Sequence, residues 1–410
     1  MDKNDRAILH DLARRVAEIA HDPVNEERRR LWHRHAAFKG ERPMVLSEVW
    51  GIMPIPELRC RSEEARVHEA GLLDTIERFE TVRDDHVVMP YLTCNWNVGV
   101  GDYGVQPKYE RTTNDGQLAS CRWEGPIKDL DKDFGKLRPR EFSVDRAGTL
   151  KHKAYIEELY DGILPVQIRG RYWWTLGMTG VAINFLGLEG FMMAMVDQPE
   201  GLHRIMAFLR DDHIRFAEWL ESEHLLSLNN ENDYIGSGSE GFTHELPQSD
   251  LKEGDPVRLK DLWVLSESQE TVCVSPQMFA EFVFPYQRAV IEKFGLCYYG
   301  CCEPVHARWD CLRRLPNLRR VSVSPWCDEE IMAAACGDRI TFSRKPNPTL
   351  ISKPNFDEDE IRADIRGTLE AAKGCALEIV MKDVHTLCGE PSRLPRWVAI
   401  AREEIDRFGG

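Results

Sequence analysis

The sequence lacks the features that mark several large classes of protein. Acidic residues outnumber basic ones by 68 to 53, so the formal net charge is −15. Nucleic-acid binding and docking on anionic membranes both depend on clustered Lys and Arg, and we therefore expect neither partner. No GxxxxGK[ST] phosphate loop and no GxSxG nucleophile element is present, which argues against a P-loop enzyme and a serine hydrolase.

A long apolar run is missing as well. The most apolar stretch, GVAINFLGLEGFMMAMV at 180–196, contains Glu189 and three glycines, which indicates a buried helical segment and not a membrane span. The first residues form an amphipathic helical pattern without the apolar core of a signal peptide. The twelve cysteines are therefore expected to be reduced thiols of a cytoplasmic protein, and some are free to bind metal.

Helical and strand patterns alternate along the chain. Apolar residues repeat at helical spacing over 3–19 and 63–82, and PMVLSEVW at 43–50 between them indicates a short strand. Helix starts are predicted at Ser275 and at Asp357 or Asp359. From residue 86 about eight strands alternate with helices: HVVMPYL, LPVQIRG, LLSLNNE, LWVLSES, LCYYGCC, RRVSVSPW, RITFSRK and ALEIVMKD.

This alternation predicts a parallel (β/α)8 TIM barrel over 86–410, preceded by an N-terminal helical extension over 1–85. The less regular segment 97–150 is predicted to be an insertion. Helices on the exterior of the barrel, together with the extension, could support a homodimer.

Three predicted strand ends supply metal-binding side chains: Glu267, Cys302 and His385. Zinc favours carboxylate, thiolate and imidazole ligands, and a catalytic zinc keeps one position open. We therefore predict a zinc site with these three residues as ligands and as the catalytic groups, with Cys301 as a further candidate ligand. Because neighbours on a strand face opposite sides, at most one of the two cysteines is expected to point into the barrel mouth. Packing of small buried thiols in a strand is the alternative interpretation.

Aromatic and polar residues on the same predicted loops suggest a substrate pocket. The tryptophans are Trp96, Trp173, Trp174 and Trp326. They suit a flat, uncharged ligand such as an aromatic ring or a tetrapyrrole, and core packing is the alternative for each. Asn232 and Asp233, within NNENDY, could orient a substrate or a water, or they could form an Asx turn.

Three segments resemble the uroporphyrinogen decarboxylase superfamily. They are PVQIRGRYWWTLGMTG with FMMAMVDQPEGLHRIMAFL, SPQMFAEFVFPYQRAVIEKFG, and GDRITFSRKPNPTLI. The resemblance covers roughly residues 85–405 with the elements in the same order, and it implies a TIM barrel. It also implies one of two chemistries, since the superfamily contains metal-free decarboxylases and zinc-dependent methyltransferases that work with a corrinoid protein.

The departures from the family pattern favour the methyltransferase branch. The decarboxylases carry an Arg-rich loop that PELRCRSEEAR at 56–66 does not match. The methyltransferases bind zinc through H-x-C and a distant Cys. Here Tyr or Gly replaces that His, Cys301 or Cys302 supplies the thiol, and His385 falls near the distant Cys, with Cys388 three residues later. With Glu267 as third ligand, the resemblance implies a harder Lewis acid that suits an ether oxygen better than a thiol.

The predicted function is therefore methyl transfer from a small methoxylated substrate to cob(I)alamin in an O-demethylase system, with an aryl methyl ether as one candidate substrate. The corrinoid would arrive on a separate protein, because no DxHxxG motif is present. Three alternatives stay open: a methylcobalamin:thiol methyltransferase, a metal-free tetrapyrrole-type decarboxylase, and a non-catalytic binder of a corrinoid or its partner protein.

Overall fold

The structure is a computed structural model, which describes residues 2–48, 52–54, 56–111, 121–170 and 175–409. The helices are α1 Lys3–Ala20, α2 Pro23–Ala36, α3 Glu63–Glu77, α4 Leu130–Asp133, α5 Arg146–Tyr160, α6 Thr179–Leu186, α7 Leu188–Asp197, α8 Pro199–Ser222, α9 Pro276–Phe282, α10 Phe284–Ile291, α11 Trp309–Leu312, α12 Glu329–Cys336, α13 Thr349–Ser352, α14 Glu358–Ala371 and α15 Arg393–Gly409. The strands are β1 Met44–Ser47, β2 Leu92–Asn95, β3 Val98–Val100, β4 Lys108–Arg111, β5 Cys121–Glu124, β6 Phe142–Val144, β7 Val166–Arg169, β8 Tyr234–Gly236, β9 Ser239–Glu240, β10 Trp263–Ser266, β11 Leu296–Tyr299, β12 Leu318–Val323, β13 Thr341–Arg344 and β14 Leu377–Met381.

Six parallel strands form the central sheet, in the order β1-β14-β13-β12-β11-β10. At the carboxyl ends, Ser47 is in register with Met381 and Ser266 with Tyr299. The register shifts between β11 and β12 after Cys297. Helices connect the successive strands from β10 to β14, as parallel pairing requires. The carboxyl ends of all six strands therefore lie along one edge of the sheet.

The predicted α/β fold with parallel strands is confirmed, but a closed eight-stranded barrel is not present in the described parts of the chain. Strands β2 and β7 form a separate parallel pair. Irregular backbone covers the two edges of the six-stranded sheet instead. At the β1 edge, the Asp85 N–H donates to the Val45 carbonyl over 2.8 Å, and at the β10 edge the Leu176 N–H donates to the Leu265 carbonyl over 3.0 Å.

Two of the predicted strands are not strands. HVVMPYL at 86–92 is irregular except for its last residue, where β2 begins. LLSLNNE at 225–231 is irregular, because a side chain forms the hydrogen bonds to β10 that a strand backbone would otherwise form. The amide of Asn229 donates to the Trp263 carbonyl over 3.1 Å and accepts from the Trp263 N–H over 2.9 Å. PMVLSEVW contains β1, so the first 85 residues supply a strand to the sheet as well as helices.

The two faces of the central sheet differ in chemistry. One face packs its apolar side chains, such as Val264, Val321 and Ile379, into the main hydrophobic core with the surrounding helices. The other face carries a buried ion pair of 3.1 Å between Arg320 and Glu378. Arg320 also donates to the side chain of Ser239 and the carbonyl of Glu240, so the short hairpin β8–β9 covers this face.

The helices of the first 85 residues begin where side chains can cap them. Asp2 accepts a hydrogen bond at the start of α1 and Ser62 at the start of α3, which continues as a π-helical turn over 78–82. The predicted caps Ser275 and Asp357 are confirmed at α9 and α14. Helices α1 and α3 pack together with α5 in a second apolar core, in which capping and apolar burial both favour the helical conformation.

The segment 97–150 forms two antiparallel strand pairs, β3 with β6 and β4 with β5. The indole N–H of Trp123 on β5 donates to the carbonyl of Ile183 on α6 over 3.0 Å, so this hairpin rests on α6. Among the described residues, no single helix is long and apolar enough to cross a membrane. Helices α6 and α7 reach that length and composition only as a pair, with a bend of 91° between them.

Candidate active site

Ionisable side chains follow the parallel strands at the carboxyl edge of the central sheet. Glu48 follows β1, Glu267 follows β10, Cys301 follows β11 after one glycine, Lys345 follows β13 and Lys382 follows β14. Glu267, Lys345 and Lys382 are buried. Acids, amines and thiols that share one low-dielectric edge shift one another's pKa values, which is typical of a functional site.

Both cysteines after β11 point to the same side of the chain. The Sγ atoms of Cys301 and Cys302 lie 3.6 Å apart, and the Cys302 Sγ lies 3.5 Å from Oδ2 of Asp383. Strand alternation ends at Tyr299, because Gly300 adopts a φ of +98°, which glycine tolerates. A turn and not the strand therefore orients the two thiols. Of the two, Cys302 is the one that lines the neighbouring cavity, and the expectation about the barrel mouth stays a prediction.

Cys301 and Lys382 form an ion pair. The Lys382 Nζ lies 3.2 Å from the Cys301 Sγ and donates to the Ser237 hydroxyl over 3.1 Å. The hydrogen bond from the Cys302 thiol and the Lys382 ammonium lower the pKa of Cys301 to about 6, although burial opposes them. Because Cys302 donates that hydrogen bond and is partly buried, its own pKa is raised. These contacts thus favour the thiolate form at Cys301 and the thiol form at Cys302.

Two buried carboxyl groups lie beside the thiols. Burial and the charges of Glu303 and Glu270 raise the pKa of Glu267 to about 8. Glu303 accepts hydrogen bonds from the N–H groups of Ser268 over 2.8 Å and Cys301 over 2.9 Å, and burial raises its pKa. Neither Glu267 nor Glu303 forms an ion pair within the described ranges. This end of the site therefore has more acidic groups than cations to balance them.

The backbone of Glu267 is fixed by a buried amide. Gln287 donates through Nε2 to the carbonyls of Gly177 and Glu267, each over 2.9 Å, and its Oε1 accepts from the Tyr299 hydroxyl over 2.8 Å. A Cβ at Gly177 would lie 1.9 Å from the Glu267 carbonyl oxygen, so only glycine fits. These contacts hold the end of β10 in place and with it the Glu267 carboxyl group.

A cavity of about 770 Å³ opens beside Cys302. Its apolar wall is formed by Trp123, Ile183, Val272, Pro304 and Trp326. Its polar lining is Gln269, Glu270 and Cys302. The volume lies in the range of small-molecule sites, which combine an apolar wall with a few polar groups. The Cys302 thiol therefore faces a space that a small organic substrate could occupy.

The predicted ligand His385 lies on the loop after β14. Its side chain is exposed and makes no hydrogen bond or ion pair with any residue that the structure describes. The loop turns through positive φ angles at Asp383, 57°, and Cys388, 55°. Within the described ranges, no three His, Cys, Asp or Glu side chains are grouped closely enough to hold a metal ion. The set of Glu267, Cys302 and His385 as metal ligands stays a prediction.

The predicted tryptophans are distributed over different places. Trp326 lines the cavity. Trp96 does not line it; its ring lies under the Arg146 guanidinium, 5.5 Å from the ring centre. Trp173 and Trp174 lie outside the residues that the structure describes. Of the four, Trp326 is thus the one that the structure brings beside Cys302.

The predicted polar residues Asn232 and Asp233 bind other parts of the protein. Asn232 donates from its side chain to the Val87 carbonyl over 3.2 Å. Asp233 accepts from Arg169 over 2.5 Å, and burial raises its pKa although Arg169 opposes this. These contacts connect the segment after α8 to β7 and to the segment before β2. Their role in substrate binding stays a prediction.

The sequence assigned no individual role in the site to Lys382, Glu303 or Trp123. Lys382 directly follows a strand and Glu303 follows the Cys pair, so position at a strand end was the available signal for both. Trp123 reaches the cavity from the hairpin β4–β5 in the irregular segment 97–150. No strand-end rule applies to such a hairpin.

No protein-family model matches this chain, and no curated protein is similar to it by sequence. Among solved structures, it is similar to a methyltransferase from Methanosarcina mazei, at 13% sequence identity and a TM-score of 0.41. The match covers 72% of this chain and 75% of that one. A likeness at this level establishes neither the family nor the activity of the chain, and the resemblance seen in the sequence stays a prediction.

Proposed function

We propose that this protein is the methyltransferase component of a corrinoid-dependent system. It would move a methyl group from a small methoxylated substrate to cob(I)alamin held by a separate corrinoid protein. The observation that carries the proposal is the Cys302 thiol at the wall of a cavity of small-molecule size, with the Cys301 sulfur 3.6 Å from it. The departures of the sequence from the decarboxylase pattern support the same choice.

The residues at the strand ends fit a zinc ion by their chemistry. Two sulfurs bound at about 2.3 Å in a tetrahedral site would lie about 3.8 Å apart, close to the 3.6 Å between Cys301 and Cys302. The buried carboxyl group of Glu267 has no ion-pair partner in the described chain, and zinc would relieve the repulsion that raises its pKa. Glu267, Cys302 and His385 are therefore the proposed ligands, with Cys301 as a further candidate. Since no three such side chains of the described residues are grouped closely enough to hold a metal, the ligands would have to draw together on binding.

When bound, zinc would act as a Lewis acid on the leaving oxygen of the methyl ether. The protein's own residues supply the rest. The apolar part of the cavity wall would hold the substrate beside Cys302. Lys382 keeps Cys301 ionised through its ammonium group at 3.2 Å, so one thiolate needs no deprotonation before it can bind a metal. Gln287 keeps Glu267 in position.

Metal content and methyl transfer test the proposal together. We expect the purified protein to contain zinc by mass spectrometry, and expect Cys302→Ser and Glu267→Gln to lower that content. Cys273→Ser, which changes an exposed cysteine, is the matched control and should retain it. Incubation with cob(I)alamin and methoxylated aromatic compounds should give the spectrum of methylcobalamin with the wild-type protein.

The outcomes separate the alternatives. A folded protein without zinc would refute both methyltransferase interpretations. Retention of zinc by His385→Ala would remove His385 from the ligand set while leaving Cys302 and Glu267 in it. The protein could instead consume methylcobalamin when a thiol acceptor is present and form no methylcobalamin from methyl ethers. That result would favour the methylcobalamin:thiol methyltransferase.

A further inference from the structure

The cavity beside Cys302 contains a carboxylate that no cation balances. Glu270 is half-buried in the wall, and no Arg, Lys or His belongs to the described lining. One oxygen of Glu270, Oε2, accepts a hydrogen bond from the Thr179 hydroxyl over 2.7 Å. Glu270 forms no ion pair within the described ranges. A partly desolvated carboxylate of this kind attracts a positively charged group into the cavity.

Two indole rings stand in the same wall as Glu270. The N–H of Trp123 donates to the Ile183 carbonyl, which fixes that ring against α6. Trp326 is 66% exposed, an unusually open position for a large apolar side chain. Tryptophan faces attract organic cations more strongly than other aromatic side chains do. The combination of two tryptophans and one carboxylate is therefore suited to an ammonium group.

The surrounding charge acts in the same direction. The whole chain carries a net charge of −15, and no cationic side chain belongs to the described lining of the cavity. An anionic ligand, such as a tetrapyrrole with several carboxylates, would be repelled by this field. A neutral aromatic ligand would gain from the apolar wall but would leave the charge of Glu270 without a cation to balance it.

From these features we infer that the cavity recognises its ligand through a positively charged nitrogen. The substrate class is then a small methoxylated compound that also carries an ammonium group, with the ammonium at Glu270 and the tryptophans. The methoxy group in this description rests on the proposed function. The recognition of the cation rests on the cavity alone.

Binding of choline and of 3,3-dimethyl-1-butanol tests the inference. The two molecules have nearly the same shape, but only choline is charged. Titration calorimetry on the full chain as purified, without corrinoid protein, should give an affinity for choline at least about tenfold higher. Glu270→Gln should bring the ratio of the two affinities close to one. Glu330→Gln, which removes the same charge from an exposed position on α12 outside the lining, should leave the ratio unchanged.

A second variant keeps the test decisive if Glu270→Gln does not fold. Trp326→Leu changes a mostly exposed side chain and should weaken choline binding several-fold more than binding of the alcohol. Equal affinities in the wild type, no saturable choline binding, or a ratio unaffected by Glu270→Gln would each overturn the inference. Methyl transfer is measured separately. If the protein forms methylcobalamin but binds both probes equally, this inference is refuted and the proposed function is retained. If it prefers choline but forms no methylcobalamin, the proposed function is refuted and the recognition of the cation is retained.

Discussion

Replacing Lys382 by Met should raise the pKa of Cys301. In the wild type that pKa is about 6, so about nine-tenths of the Cys301 thiol is ionised at pH 7. The Lys382 ammonium at 3.2 Å is one of two favourable contacts of the thiolate, and an opposite charge this close lowers a pKa by about one to three. Its loss should bring the Cys301 pKa to about 8, where roughly a tenth is ionised at pH 7.

The titration midpoint is the appropriate measurement, and the rate of alkylation at one pH is not. A thiolate becomes a better nucleophile as its pKa rises, which partly offsets the smaller ionised fraction. Thiolate absorbance near 240 nm, followed against pH on chelator-treated protein, reports ionisation directly. The difference between the wild type and a variant with both Cys301→Ser and Cys302→Ser separates this pair from the other cysteines, because replacing Cys301 alone would also change the ionisation of Cys302. We expect a midpoint near pH 6 for the wild type.

Two controls accompany this measurement. Lys293→Met removes an exposed lysine that pairs with Glu218 and should leave the midpoint near pH 6. Cys302→Ala removes the strongest stabilising contact of the thiolate and should raise the midpoint at least as far as Lys382→Met does. If Lys382→Met titrates like the wild type, then the ion pair of Cys301 and Lys382 has no role in the ionisation and this explanation of the site is wrong.

Two further predictions concern stability. Replacing Glu378 by Gln leaves the buried Arg320 without its carboxylate, so we expect the free energy of unfolding in urea to fall by about 3–5 kcal/mol. The control Glu292→Gln, at the end of α10, should lower it by less than about 1 kcal/mol. An equal effect of the two substitutions would contradict this prediction. Glu267→Gln should stabilise the chelator-treated protein, because folded Glu267 keeps its proton up to a pKa of about 8, whereas the unfolded group loses it near a pKa of about 4.3. The stability of the wild type therefore falls as the pH rises from about 4.3 to about 8. The stabilisation by Glu267→Gln should be largest near pH 8 and absent below about pH 4. The control Glu281→Gln, at an exposed position, should show no such trend.

The buried strands were the most predictable part of the fold. WVLS, LCYY and LEIVM are buried along their whole length, and such continuous apolar runs are typical of parallel strands covered on both faces. The stretch at 225–231 has a similar apolar start, yet the side chain of Asn229 replaces the backbone in pairing with Trp263. Sequence periodicity does not distinguish a side-chain amide from a strand backbone, so this prediction was wrong.

At the site, the strand-end rule located residues but not their directions. It found Glu267, Cys301 and Cys302, because the ends of parallel strands share one edge. The direction of the two thiols depends on the positive φ of Gly300, and the course of the last loop depends on the positive φ of Asp383. A glycine permits such an angle without requiring it, and an aspartate adopts it uncommonly. The sequence therefore predicted the neighbourhood of His385 but not its exposure.

The excess of carboxylates at this edge is the common basis of the two cations proposed for the site. Burial makes the charge on Glu267 costly enough to raise its pKa to about 8, and a divalent metal between it and the thiols would remove that cost. Glu270 lies in the open wall, where its charge costs less and a monovalent ammonium group is a sufficient partner. The depth of each carboxylate thus determines which cation it favours. The two sites should respond independently: Glu267→Gln should lower zinc content and leave the preference for choline, whereas Glu270→Gln should do the opposite.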